Sequence, residues 1–258
     1  VAADADGGGS EEPAAPRPAF YALRAGGWRD LVTVLHPPYT AWNLANVLLG
    51  AAAAAEIHGD RLLATLAAFF LAVGVCAHTL DELNGRPLGT SLSDRTLIAM
   101  AAISLAGALA IGVAGAITIS ATLIPFVLGG GFIVVAYNLE LAGGRFHTDF
   151  WLAVSWGGFT ALTSWWVNTL SFAHLDQVVA GLLVAAGCSG LTLAQRRLST
   201  PVRELRRRTA SVSGEQRLAD GTVIALTGER LMAPLDAALR AISWAVVVLA
   251  IGLVVLRI

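Results

Sequence analysis

The chain has 258 residues, is 56% hydrophobic and only 14% charged, and carries a formal net charge of −1 with a mean hydropathy of +0.68. Soluble domains average about 25% charged residues, so an ordinary soluble globule is excluded. Membrane lipids are the expected surroundings, and nothing in this balance calls for a nucleic-acid partner.

Residues 1–18 are mostly Gly, Ala, Pro and acid. Such a composition buries too little apolar surface to order itself, so a flexible tail is expected over 1–19, with no secretory signal peptide ahead of it. Next, Phe20, Leu23, Trp28, Leu31, Val32 and Leu35 are interspersed with arginines. That pattern predicts an amphipathic helix over 20–36 lying on the cytoplasmic leaflet, with a solvated linker as the alternative.

Seven apolar stretches fill 37–258, at 40–57, 62–78, 97–114, 117–139, 150–170, 178–194 and 235–256. Each has 17 to 23 residues, close to the roughly 20 that a helix needs to cross a bilayer core. The expected fold is an all-α polytopic transmembrane bundle of about seven spans, placed in a bacterial cytoplasmic membrane. Cys76 and Cys188 fall inside these stretches, where small thiols simply pack, and no disulfide framework is indicated.

All 17 basic residues are arginine. Most lie before the first stretch or after the second, fourth and sixth, while the opposite gaps carry Arg61 alone and Arg257 ends the chain. The positive-inside bias therefore puts the N-terminus in the cytoplasm and the C-terminus outside.

Three polar gaps share the arginine-bearing side. The first runs from His78 through Asp81, Glu82 and Asn84-Gly85 to Arg86-Pro87. Offsets of three and four put His78, Asp81 and Glu82 on one helical face, where two carboxylates and an imidazole suit Mg²⁺. The plainer alternative is a helix end with Glu82 paired to Arg86. The second gap holds Tyr137-Asn138, Glu140, Gly143-Gly144, Arg145, His147 and Asp149. There Arg145 can clamp an anionic oxygen and Tyr137 or His147 can handle a proton, or the segment is a short connector with ordinary ion pairs.

The third gap, 195–232, carries eight arginines against Glu204, Glu215, Asp220 and Glu229. Pro201 looks like the first turn of a basic surface helix attracted to anionic lipid, or of a lid bringing arginines over a diphosphate. Asp220-Gly221 carries a hairpin signature. Within the first stretch, Asn43 and Asn46 share a face as interhelical hydrogen-bond donors or ligand contacts, and Trp156-Gly157-Gly158 indicates close helix packing.

In this order the features resemble the UbiA-type intramembrane prenyltransferase superfamily. The likeness covers about 24–190 and is carried by Leu35-His36-Pro37-Pro38-Tyr39-Thr40 through Asn46 and Gly50, by Tyr137-Asn138-Leu139, and by Phe150-Trp151-Leu152-Ala153-Val154-Ser155-Trp156-Gly157-Gly158-Phe159. It implies an enzyme that binds a prenyl diphosphate at its cytoplasmic face and transfers the prenyl group to an aromatic or lipid acceptor. It also implies Mg²⁺ on Asp81 and Glu82, with Arg86 and Arg145 on diphosphate oxygens. Asn43, Asn46, His78 and Asn138 would then contact the substrate, and Tyr137 and His147 would serve the acceptor or its proton. Two departures accompany the likeness. Asp81 and Glu82 replace a spaced series of aspartates after the second span, and arginines replace paired aspartates after the sixth, with one span following instead of three. A noncatalytic lipid-binding or scaffold protein of the same architecture is the other reading, with arginine supplying fixed positive charge where the family uses metal.

Overall fold

A computed structural model describes residues 18–258, so most of the expected tail, Arg17 included, lies outside the described residues. Pro18 and Ala19, counted with that tail, are inside them, and Ala19 is buried against Ala22 and Leu88.

The helix expected over 20–36 is shorter. Gly26 and Gly27 adopt positive φ, a conformation that glycine tolerates best, and α1 begins only after them, at Trp28–Val34. Its polar residues Asp30 and Thr33 are buried while Trp28 and Leu31 are exposed. That inverted pattern suits a short helix offering its apolar side to a membrane surface. Burial works to raise the pKa of Asp30, but the Ser91 hydroxyl and the N–H groups of Gly26 and Ser91 outweigh it, and the net shift is downward. Asp30 thereby ties α1 to the loop that ends at Ser93.

The predicted apolar stretches coincide largely with helices, although 53–57 of the first and 119–120 of the fourth fall outside them. α2 (Pro37–Ala52) starts with two prolines, whose missing N–H groups would have been unpartnered in a first turn anyway. α3 (Gly59–Leu83), α4 (Asp94–Thr118) and α5 (Ala121–Asn138) follow. α6 occupies 149–169, α7 Leu175–Arg207 and α8 Gly228–Val255. Ser93, Thr148 and Thr227 cap α4, α6 and α8, each hydroxyl accepting a first-turn N–H.

Five of these helices, α3, α4, α5, α7 and α8, are long and apolar enough to cross a membrane, so the chain has the build of an integral membrane protein. α2 has 16 residues and makes up for its shortness by position, because it packs against α3, α6, α7 and α8 at once.

Two corrections concern the third gap. Pro201 does not open a separate surface helix: α7 runs through it to Arg207, and α8 already begins at Gly228, so the loop is shorter than 195–232. The hydroxyls of Ser199 and Thr200 donate to the Arg196 carbonyl at 3.2 and 2.9 Å, serving backbone in the turn that proline interrupts. Inside the loop, β1 (Glu215–Arg217) and β2 (Val223–Ala225) pair antiparallel around Asp220-Gly221, as the signature predicts.

Close packing joins α2, α6 and α7. A Cβ on Gly50 would stand 2.1 Å from the Ala161 carbonyl oxygen, and one on Gly157 would stand 2.5 Å from the Cys188 carbonyl oxygen. Backbone cannot move aside as a side chain can, so Gly157→Ala is expected to destabilise the bundle by about 1–3 kcal/mol. Thermal melting of the detergent-purified protein reads this, and an unchanged melting temperature would deny the close approach. Asn43 and Asn46 add polar links: both amides donate to the Trp156 carbonyl, at 2.9 and 3.1 Å. That carbonyl lies in a π-helical stretch of α6, Ala153–Phe159, and a second such stretch, Phe70–Ala77, interrupts α3.

Candidate functional site

The helices alternate in direction, so the start of α2, the ends of α3 and α5, the start of α6, the end of α7 and the start of α8 meet at one end of the bundle. All three polar gaps therefore open at the same end. There they surround a chamber of about 1280 Å³ of unfilled space, its mouth included.

Its walls are built element by element. α2 and the turn before it contribute His36, Tyr39 and Asn43, and α3 contributes His78 and Asp81. Tyr137 and Asn138 come from α5, and His147 and Trp156 from the α5–α6 connector and α6. α7 lays Arg196, Arg203, Arg206 and Arg207 along the chamber, and Asp236 of α8 faces Arg206, with which it forms an ion pair. Helical periodicity explains the arginine row, since offsets of 7 and 11 from Arg196 return close to the same face and Arg206, at 10, falls about 80° to one side, toward Asp236.

The segment before α1 closes one side. The Tyr21 hydroxyl lies 2.8 Å from His36 Nδ1, and Arg207 Nε donates to the Pro18 carbonyl at 2.9 Å. His36 stacks on His78 with ring centroids 4.3 Å apart. Burial, followed by the nearby His78, Arg207 and Arg203, holds the His36 imidazole well below its usual pKa, so it is neutral. Burial raises the Tyr21 pKa, which keeps its hydroxyl protonated.

The sequence-predicted residues divide. Asn43, His78, Asp81, Tyr137, Asn138 and His147 are brought together on the chamber. Tyr137 stacks on His147 at 4.4 Å and lies against Trp156 at 5.4 Å. The Asn138 amide donates to the Val134 carbonyl at 2.7 Å. Asn46 is fully buried behind Asn43 and serves as an interhelical link. Arg86 is ion-paired to Asp94 and neither pairs with Glu82 nor lines the chamber. Arg145 is exposed and lies outside the lining.

Glu82 has a different task from the metal ligand expected of it. It is fully buried and accepts from the N–H groups of Leu88 and Thr90 at 2.9 and 2.8 Å, and from the Thr90 hydroxyl at 2.9 Å. It therefore pins the connector between α3 and α4, while Asp81, one residue earlier, reaches the chamber. The other acid on the lining, Asp236, holds Arg206 through Oδ2 and leaves Oδ1 without a partner. No three His, Cys, Asp or Glu side chains gather as a metal seat among the described residues. The lining thus carries two carboxylates, Asp81 and Asp236, where the resemblance implies two aspartate-rich sequences.

Behind the polar chamber lies an apolar cavity of about 860 Å³, opening included, between α3, α4, α5 and α6. Gly130 and Gly131 of α5 leave its wall hollow, and Phe69, Leu105, Leu109 and Phe159 line it. Val73 borders both spaces. From Val73 the cavity follows one face of α3 back to Arg61 near the opposite end, about 18 Å of helix.

The residues that sequence reasoning missed are Tyr21, His36, Tyr39, Arg196 and Asp236. A partial cue existed for His36: a residue before proline is disfavoured in the α region, and His36 does leave it, adopting a left-handed φ of 46° and stacking on His78.

The chain matches no protein-family model, no curated protein and no solved structure.

Proposed function

We propose that this integral membrane protein is a UbiA-like prenyltransferase that seats the diphosphate of a prenyl diphosphate in the arginine-lined chamber and its chain in the apolar cavity. The observation that carries the reading is Val73, a wall residue common to the arginine-lined chamber and the apolar cavity. An amphiphile with an anionic head and a hydrocarbon tail suits both. Arginine distribution supports a cytoplasmic position for the chamber, with the N-terminus on the same side and the C-terminus outside.

Transfer breaks the allylic C–O bond, and its electron pair leaves on the diphosphate. The guanidinium groups of α7 stabilise that departing charge. The rings of Tyr137 and Trp156 offer π faces to the electron-poor allylic carbon. A nucleophilic atom of a lipophilic acceptor forms the new bond and gives up a proton, which Asp81 takes.

The test is diphosphate release from labelled prenyl diphosphates of several chain lengths by the purified chain in lipid nanodiscs, with a membrane lipid extract as acceptor. Release that depends on the acceptor, and falls in Asp81→Asn with substrate still bound, is expected. Binding without release would instead make the chain a noncatalytic lipid-binding protein of the same architecture, and absence of binding would end the reading.

A further inference from the structure

We propose that the chamber holds its phosphate or diphosphate by guanidinium and imidazole N–H groups alone, with no divalent cation. The inference deepens the function proposed above and rests on its reading of the chamber as a headgroup site.

The first support is the local charge balance. Arg196, Arg203, Arg206 and Arg207 face the chamber against the carboxylates Asp81 and Asp236. Arg206 is taken by Asp236, and Arg196 donates to Asp149 at 3.0 Å. Arg203 has no carboxylate within ion-pair distance among the described residues; its contact is the Thr200 hydroxyl at 3.4 Å. Arg207 spends its Nε on the Pro18 carbonyl, which leaves its terminal nitrogens to donate elsewhere. Two forked, permanently charged donors one helical turn apart suit two oxygens of a phosphate or diphosphate.

A second and independent support is His36. It is 7% exposed, it lines the chamber, and its Nε2 is buried without a partner. In the tautomer in which the Tyr21 hydroxyl, 2.8 Å from Nδ1, is the donor, the ring proton sits on Nε2. A buried N–H with no acceptor costs free energy, and an anionic oxygen in the chamber removes that cost.

The carboxylates point the same way. Glu82 is spent on the Leu88–Thr90 backbone and Asp236 gives Oδ2 to Arg206, so the uncommitted carboxylate oxygens on the chamber are those of Asp81 and Asp236 Oδ1, outnumbered by the guanidinium donors of α7.

Equilibrium binding of inorganic diphosphate and of farnesyl diphosphate to the purified full chain, each in Mg²⁺ and in chelator, tests this. Both probes are expected to bind in chelator as tightly as in Mg²⁺. Arg203→Gln is expected to weaken both about tenfold, Arg203→Lys to recover part of the loss, and Asp81→Asn to tighten binding by removing negative charge. Melting curves of the variants establish that they are folded. Binding of both probes only in Mg²⁺ overturns the metal-free seat while leaving the prenyl reading standing. Inorganic diphosphate that binds in chelator while farnesyl diphosphate does not keeps the seat and overturns the prenyl reading. Failure of both probes in both conditions overturns the two together, and weaker binding in Asp81→Asn with unaltered binding in Arg203→Gln overturns the seat.

Discussion

Arg203→Glu is expected to lower the affinity of the purified chain for inorganic diphosphate by about 100-fold, the equivalent of about 3 kcal/mol. The size follows from two losses at once. A charge-assisted donor disappears, and a carboxylate is set into a chamber that already contains Asp81. No ion pair of the folded state breaks, because Arg203 has no carboxylate partner among the described residues. The neighbours Arg196 and Arg207 even gain an opposite charge, so the bundle is expected to melt as the parent does. Calorimetric titration beside a melting curve separates the effects. Parental affinity in a folded Arg203→Glu protein would remove α7 from headgroup binding.

Glu82→Ala is expected to cost about 3 kcal/mol of stability. The carboxylate is fully buried and accepts three hydrogen bonds, from the N–H groups of Leu88 and Thr90 and from the Thr90 hydroxyl. Truncation strands two backbone donors in a dry site. The connector 84–93 is then expected to open to protease, and because Ser91 in that connector also holds Asp30, α1 should loosen with it. Glu82→Gln keeps one acceptor oxygen and should lose less. A metal ligand would behave differently: substitution would leave the connector closed and change only the response to Mg²⁺. Protease mapping of the two variants distinguishes these outcomes.

The sequence made much of this architecture legible because hydrocarbon imposes simple rules. An apolar stretch in hydrocarbon must become a helix to satisfy its backbone; each of the seven coincides largely with a helix, and five of those helices are long and apolar enough to cross a membrane. The arginine asymmetry grouped the three polar gaps, and the structure places them at one end. Gly157 and the amides of Asn43 and Asn46 announced close helix contacts because small and amide side chains have few other uses inside a bundle.

The site was only half legible, for reasons of geometry. Asp81 and Glu82 are neighbours on a helix end, and successive side chains there point about 100° apart. One entered the chamber and the other met a returning loop, whose path no local spacing records. Arg86 chose Asp94, eight residues on, because a left-handed φ of 53° turned it out of helical register with Glu82. The two π-helical stretches carry no periodic signature, yet one delivers His78 and the other holds the Trp156 carbonyl. His36 and Tyr21 belonged to a stretch read as helix from its apolar spacing, but paired glycines delay that helix to Trp28, past Tyr21, and it ends at Val34, before His36.

The claim beneath all of this is that one amphiphile occupies both spaces, which share Val73 as a wall residue. A prenyl diphosphate bearing a diazirine at its tail end, photolysed on the nanodisc-embedded chain, tests it directly. Label is expected on the cavity-facing residues of α4 and α5, such as Leu105, Leu109 and Gly130, and it should be lost with excess inorganic diphosphate and in Arg203→Glu. Label confined to the exposed outer faces of the helices, or label indifferent to both competitor and substitution, would contradict it.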